Sequence, residues 1–327
     1  MERSWRMALL APWIAVVGCD GTSMDPDAAA GVDTTIEEAD AAGAGDAGTG
    51  VTDAGPSDAG SAGGAYAAPM TLGELTGVPE TSGIVASRDH PGVFWIHNDS
   101  GNPAEIFAID TSPRVLATIS LAGATNEDWE DITLVPREGP DLIYVGDHGD
   151  NLARETMGAS SYRDGTVRLY RLEEPDPSAD ASVSVEAIAL TYPDGPHDCE
   201  ALFADPESGD VYLVTKVDAG SAEIYVARAP LVAPGPLALT HVASLDMLSV
   251  TAADLSGDRT RLVLRNYSQI RVYAMDLTDV PGSLTGTPTR PSARGSFAEA
   301  IAFGAGGYDL YTLAEGDPST LLHIPWE

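Results

Sequence analysis

Five segments of this chain repeat one pattern: a short apolar strand opened by a small or acidic residue, a turn, and a stronger apolar strand. They open at Ser82-Gly-Ile, Glu130-Asp-Ile, Glu200-Ala-Leu, Thr251-Ala-Ala and Glu299-Ala-Ile. The second strands read Val93-Phe-Trp-Ile, Leu142-Ile-Tyr-Val, Val211-Tyr-Leu-Val, Arg261-Leu-Val-Leu and Leu310-Tyr-Thr-Leu. Third strands follow each of them, and weaker fourth strands run over Val115 to Leu121, Ser184 to Leu190 and Leu239 to Leu245. The runs are β-branched and aromatic, and Gly, Pro, Asp and Asn separate them. The openings recur at intervals of roughly 50 residues, stretched to 70 between Glu130 and Glu200. That period predicts an all-β fold, a β-propeller of five four-stranded blades, with an insertion in the second blade that includes Ala153 to Asp164. The long second segment leaves room for a sixth blade.

The last repeat ends at Glu327 without a fourth strand. Met70 to Leu75 leads into Ser82 as the other fourth strands lead into their next blades. An N-terminal strand is therefore expected to close the ring, which removes the exposed sheet edges that invite aggregation.

The residues before this domain read differently. Arg3 and Arg6 precede an apolar stretch, Met7 to Val17, too short to span a bilayer. It ends in Val16-Val17-Gly18-Cys19, which resembles the lipobox of bacterial lipoproteins. That resemblance implies a signal peptide over residues 1–18 and lipidation of Cys19, and so a membrane partner on the exported, periplasmic or cell-surface side. Residues 19–65 are almost wholly Ala, Gly, Asp, Ser and Thr, with ten acidic residues from Asp20 onward and no Lys or Arg. Too little apolar surface is present to offset ordering entropy, so a tether is expected, extended by its own charge. The folded domain is then residues 66–327, with one unpaired thiol, Cys199. Its acidic neighbours Asp198 and Glu200 favour a packed side chain over a reactive one.

A formal charge of −33 excludes nucleic acid as a partner and permits cations. The chain has no Gly-x-Ser-x-Gly elbow, no His-Glu-x-x-His zinc motif and no nucleotide-binding glycine loop. His148 and His197 sit near acidic residues, and exposed loop positions are the simpler expectation for both.

Four phrases carry a further resemblance: His97-Asn98-Asp99-Ser100-Gly101, Asp128-Trp129-Glu130-Asp131-Ile132, Gly146-Asp147-His148-Gly149-Asp150-Asn151 and Asp198-Cys199-Glu200-Ala201-Leu202. Together they resemble a family of secreted bacterial β-propeller lipoproteins, largely uncharacterised, similar to phytase-like and esterase-like propellers. The likeness covers roughly Thr81 to Leu313, the whole domain, and implies its fold; it implies no particular reaction. A more distant likeness is to gluconolactonase-type propellers, whose metal-ligand pattern this sequence does not reproduce residue by residue.

In a propeller the first strand of each blade lines the central channel. Ser82, Glu130, Glu200, Thr251 and Glu299 should face one another there. The ends of the second strands add Asn98 or Asp99, Asp147, Lys216, Arg265 with Asn266, and Glu315. Converging glutamates repel and resist ionisation unless cations compensate. Three readings follow: Lys216 and Arg265 pair with them in a structural lining; Glu130, Asp147 and Glu200 hold a metal, Ca²⁺ suiting an all-oxygen site; or two carboxylates act as acid and base. The corresponding functions are a monomeric binding propeller that takes a protein or small-molecule ligand at its channel mouth, and a divalent-metal-dependent hydrolase, phosphatase-like or lactonase-like.

Overall fold

The computed structural model describes residues 64–292 and 298–327; the expected signal peptide, Cys19 and nearly all of the expected tether lie outside them. Strand β1 (Met70–Leu75) comes first and does not pair with its neighbours in sequence. The first blade is β2 (Thr81–Ala86), β3 (Val93–Asn98), β4 (Glu105–Asp110) and β5 (Val115–Ala122). The second starts with β6 (Trp129–Val135) and β7 (Leu142–Asp147), then a short helix α1 (Asn151–Glu155) and β8 (Val167–Glu173). From there β9 (Ala181–Ser184) crosses back to pair in parallel with β5, and β10 (Glu186–Thr191) completes the second blade. The third blade is β11 (Cys199–Ala204), β12 (Val211–Thr215), β13 (Ala222–Ala227) and, after the short β14 (Leu237–Ala238), β15 (Thr240–Leu245). Strand β14 covers the outer edge of β10, as β9 covers that of β5. Both leave fewer unpaired backbone groups on the outside of the ring.

The fourth blade has three strands, β16 (Val250–Leu255), β17 (Arg261–Asn266) and β18 (Ile270–Ala274), followed by helix α2 (Val280–Leu284). A single bridge from Val272 to Thr289 stands where a fourth strand would lie. The fifth blade is β19 (Ala298–Phe303), β20 (Leu310–Ala314), β21 (Ser319–Ile324) and finally β1, antiparallel to β21. The N-terminal strand thus closes the ring, as the missing last strand required. Each innermost strand lies beside the next, β2 to β6, β6 to β11, β11 to β16, β16 to β19 and β19 to β2. The chain is a five-bladed β-propeller. The room for a sixth blade is taken by α1 and the loop after it.

Five apolar clusters fill the five gaps between blades. Trp95 and Ile106 meet Ile132 and Val145 between the first two blades, and Leu169 and Ile188 meet Leu202 and Leu213 in the next gap. Phe203 and Ile224 meet Leu262 and Tyr273, Val263 and Ile270 meet Ile301 and Leu310, and Leu313 and Leu75 meet Ile84 and Phe94. Each fully buried Leu, Ile or Val contributes about 1.5–3 kcal/mol of transfer free energy. Every blade is therefore apolar on both faces, and its strands carry near-continuous apolar runs.

Candidate functional site at the channel mouth

All five innermost strands carry the same irregularity. The pairing of β2 with β3 slips between Thr81 and Gly83, and corresponding slips skip Glu130, Glu200, Thr251 and Glu299. Ser82 and these four residues are each the extra residue of a β-bulge, a device that bends a strand and re-aims a side chain. The repeat read from sequence is thus a ring of bulges at one end of the channel. All five side chains are buried, Glu130 being 3 % exposed and Glu200 4 %.

Below this ring hydrogen bonds stitch the innermost strands to one another. Asp131 Oδ2 accepts from the backbone N–H of Leu202 at 2.9 Å and of Ala253 at 3.3 Å, joining β6 to β11 and β16. Asp254 Oδ2 accepts from the Phe303 N–H at 2.8 Å, joining β16 to β19. The Ser82 hydroxyl donates to the Glu130 carbonyl at 2.6 Å. Burial pushes the Asp254 carboxyl up to about 7 and lifts Asp131 well above the usual range. These residues hold the innermost strands together.

The second-strand ends divide into two registers that the sequence reading mixed. Asn98, Asp147, Thr215 and Asn266 are paired opposite the residues just before the bulges. Their side chains brace loops: Asn98 Oδ1 accepts from the Glu80 N–H at 3.0 Å, and the Asn266 amide donates to the Leu248 carbonyl at 2.8 Å. Asp147 accepts from the Asp128 N–H at 3.1 Å and pairs with Arg163 at 2.8 Å. It is committed to that arginine and stands outside the carboxylate cluster, in place of the ligand role expected with Glu130 and Glu200. One residue further on, Asp99, Lys216 and Glu315 follow their strands at the mouth. His148, at the equivalent position, is fully buried; its Nδ1 lies 2.7 Å from the Cys199 carbonyl, and burial lowers its pKa to about 3. The exposed loop position expected for it is therefore wrong. His197 is partly exposed, 3.0 Å from both Asp194 and the Tyr225 hydroxyl.

The structure gathers Asp99, Asp128 and Glu130, one oxygen of each within 4.8 Å of the others, and likewise Glu130, Asp198 and Glu200. Glu130 belongs to both groups. Asp128 and Asp198 were not singled out in the sequence, although Asp128-Trp129-Glu130 and Asp198-Cys199-Glu200 share one spacing. Both aspartates stand just before their strands, two residues ahead of the bulged glutamates, and that shared spacing was the available signal.

Two cations pair with carboxylates of this cluster, both on the Asp198 and Glu200 side, while Arg163 stands beside Asp128, donating to its backbone carbonyl at 3.4 Å. Lys216 Nζ lies 2.7 Å from Glu200 Oε1 and donates to the Tyr267 hydroxyl at 3.0 Å. Arg154, from α1, lies 2.7 Å from Asp198 and 3.4 Å from Glu200. The insertion in the second blade therefore reaches back to the mouth. Arg265, expected to pair with the glutamates, makes no direct ion pair with them among the described residues, although Glu299 is near enough to favour its charge. Its position opposite Ala252 turns it toward the Thr312 hydroxyl and the Asn266 carbonyl, and burial lowers its pKa to about 10.

Glu130 is left with no hydrogen-bond donor or cation on its carboxylate among the described residues. Burial, then Glu200, Asp99, Asp128 and Asp198, push its pKa well above the usual range. Burial also lifts Glu200 to about 8 against the opposing pull of Lys216, and lifts Asp99 and Asp128 to about 6. Across the mouth, Glu299 is raised to about 7 by burial and by its neighbour Glu315. Gly149 keeps the cluster open: a Cβ there would run into Glu130 Oε1 and lie 2.6 Å from Asp128 Oδ2. Five carboxylates against three cations, none of which pairs with Glu130, form a donor set suited to a hard divalent ion. Cys199 is fully buried beside this site, and burial raises its thiol pKa.

No protein-family model matches the chain, and no curated protein matches it in sequence. Solved structures with a similar fold include the PQQ-bound aldose sugar dehydrogenase of Streptomyces coelicolor, at 12 % identity and TM-score 0.48, covering 82 % of this chain and 99 % of that one. A gluconolactonase of Xanthomonas campestris, XC5397, is 15 % identical with TM-score 0.45 over 79 % of this chain and 89 % of its own. A putative gluconolactonase, 12 % identical with TM-score 0.42, covers 82 % of this chain and 94 % of that one.

Proposed function

We propose that this chain is a cation-dependent binding protein: a propeller whose channel mouth holds a divalent ion, calcium in preference to magnesium, and uses it to capture an oxygen-rich ligand. The observation that carries this reading is Glu130, buried, joined to two carboxylate groups and without a counter-charge. Asp99, Asp128, Glu130, Asp198 and Glu200 would hold the ion. Lys216, Arg154 and Tyr267 would stand beside the ligand and select for negative or hydroxyl-bearing groups. The test is calcium titration of metal-free protein by calorimetry. Saturable binding in wild type, with one site lost in Glu130→Gln, supports the reading; no binding in wild type, or equal binding in the two, removes it.

A second reading, metal-dependent hydrolysis of a lactone or phosphate ester, is favoured by Glu299 and Glu315. Their shared environment raises Glu299 into the range where a carboxyl can pass a proton near neutral pH. In that reading the ion would polarise the scissile group, and Glu299 would exchange the proton. Calcium-dependent turnover of a panel of lactones and phosphate esters, abolished in Glu299→Gln, separates the enzyme from the binder.

The same proposal sets the domain outside the cytoplasm. Lipid on Cys19 would anchor it, and residues 20–65 would serve as a leash, leaving a monomeric ring free to sample its surroundings. Cys19→Ala should release the protein from the membrane fraction without changing its calcium affinity.

A further inference from the structure

A second group of carboxylates lies at the opposite end of the ring, where the first and second blades meet. Asp89 is in the turn between β2 and β3, Asp141 stands just before β7, and Glu174 just after β8. One oxygen of each lies within 4.8 Å of the others. The innermost strands start at the channel mouth, so these positions fall at the far end of their strands.

Two of the three are built into the protein. Asp141 is 2 % exposed and Glu174 8 %. Their backbones are joined, the Glu174 N–H donating to the Asp141 carbonyl at 2.7 Å. Each side chain spends one oxygen on being held in place. Asp141 Oδ1 accepts from the Arg137 N–H at 3.1 Å, and Glu174 Oε1 accepts from the Trp95 indole N–H at 2.7 Å, across the blade interface. Each leaves the other oxygen, Asp141 Oδ2 and Glu174 Oε2, buried without a hydrogen-bond partner. A buried carboxylate oxygen with nothing to accept from is costly, and two of them in one group with a third carboxylate are more so. The nearest cation, Arg88, stands 3.8 Å from Asp141 Oδ2, and its side chain is 49 % exposed. At that distance it makes no hydrogen bond to the carboxylate.

We propose that Asp89, Asp141 and Glu174 form a second divalent-cation site, separate from the channel mouth, that ties the first blade to the second. The donors are all oxygen, two fixed and one exposed, and water can complete the shell; calcium fits this better than magnesium, which demands strict octahedral geometry. Arg88 would occupy the place of the ion in its absence and swing into solvent when it binds.

Trp95 makes the site observable, because its ring is hydrogen-bonded to a ligand residue and can sensitise terbium placed in a calcium site. The experiment uses the full chain carrying Glu130→Gln with Glu200→Gln, which silences the channel mouth. Terbium luminescence excited through tryptophan is expected, competed by calcium, lost on adding Asp141→Asn with Glu174→Gln, and reduced several-fold by Trp95→Phe. No luminescence in the silenced protein, or luminescence that survives loss of Asp141 and Glu174, overturns the proposal. If that last variant fails to fold, Arg88→Gln decides: calcium should bind several-fold more tightly once its competitor is gone. No calcium binding to Arg88→Gln, or an affinity no tighter than before, overturns the proposal and leaves Arg88 as the permanent partner of Asp141.

Discussion

Replacing Glu130 by Gln removes a charge that the fold leaves uncompensated, so without metal the variant should be more stable than wild type. At 4.8 Å and an effective dielectric of about 20, each neighbouring carboxylate repels Glu130 by about 3 kcal/mol if both are ionised. Proton uptake limits the loss, since Glu130 can enter the folded state neutral. A net gain of about 1–3 kcal/mol remains, which for a domain of this size raises Tm by about 2–10 °C. The assay is thermal unfolding in chelator and then in millimolar calcium. Wild type should gain clearly more stability with calcium than Glu130→Gln, which lacks the mouth site, so that the order of the two reverses. A Glu130→Gln variant less stable than wild type in chelator, with no calcium response in either, would refute the reasoning and make the ring a hydrogen-bonded lining.

Three further outcomes follow from the same geometry. Lys216→Met leaves Glu200 buried without its closest cation and should cost about 3–5 kcal/mol; unfolding of the variant and of Lys216→Met with Glu200→Gln measures this, the second change restoring most of the loss. Gly149→Ala should weaken calcium binding at the mouth at least tenfold in calorimetry while moving Tm in chelator little, because the atoms nearest its Cβ are those of the Glu130 and Asp128 carboxylates. The metal-free protein should lose stability as pH rises from about 4 to about 7: Glu299 and Asp254 have folded pKa values raised to about 7, so their protonated forms favour the fold. That stability is complete below their unfolded values near 4 and declines through 7, read as Tm against pH; a Tm that climbs across this window would contradict the assignment.

The architecture was legible in the sequence because the repeat and its truncated last copy imply a closed ring. Met70 to Leu75 completes the fifth blade as the missing strand required. The channel-facing positions of Ser82, Glu130, Glu200, Thr251 and Glu299 were legible for the same reason, since equivalent places in a repeat meet on the axis. The second-strand positions were not, because the bulges shift the register by one residue and sequence carries no mark of a bulge. That single shift explains why Asp147 and Asn98 brace loops and why Arg265 points between blades. Arg154 and Arg163 were hidden for another reason: they lie in an insertion that has no counterpart in the other blades. The group formed by Asp89, Asp141 and Glu174 joins turns from two blades, and only the packing of β3 against β8 brings Trp95 and Glu174 together.

The account rests on an ion at the channel mouth, and diffraction from crystals grown with calcium tests it most directly. It predicts density with oxygen ligands at about 2.3–2.6 Å, drawn from Asp99, Asp128, Glu130, Asp198 and Glu200, and absent from crystals of Glu130→Gln. A mouth filled only by water in calcium-soaked wild-type crystals, with Glu130 accepting hydrogen bonds from protein donors, would contradict it.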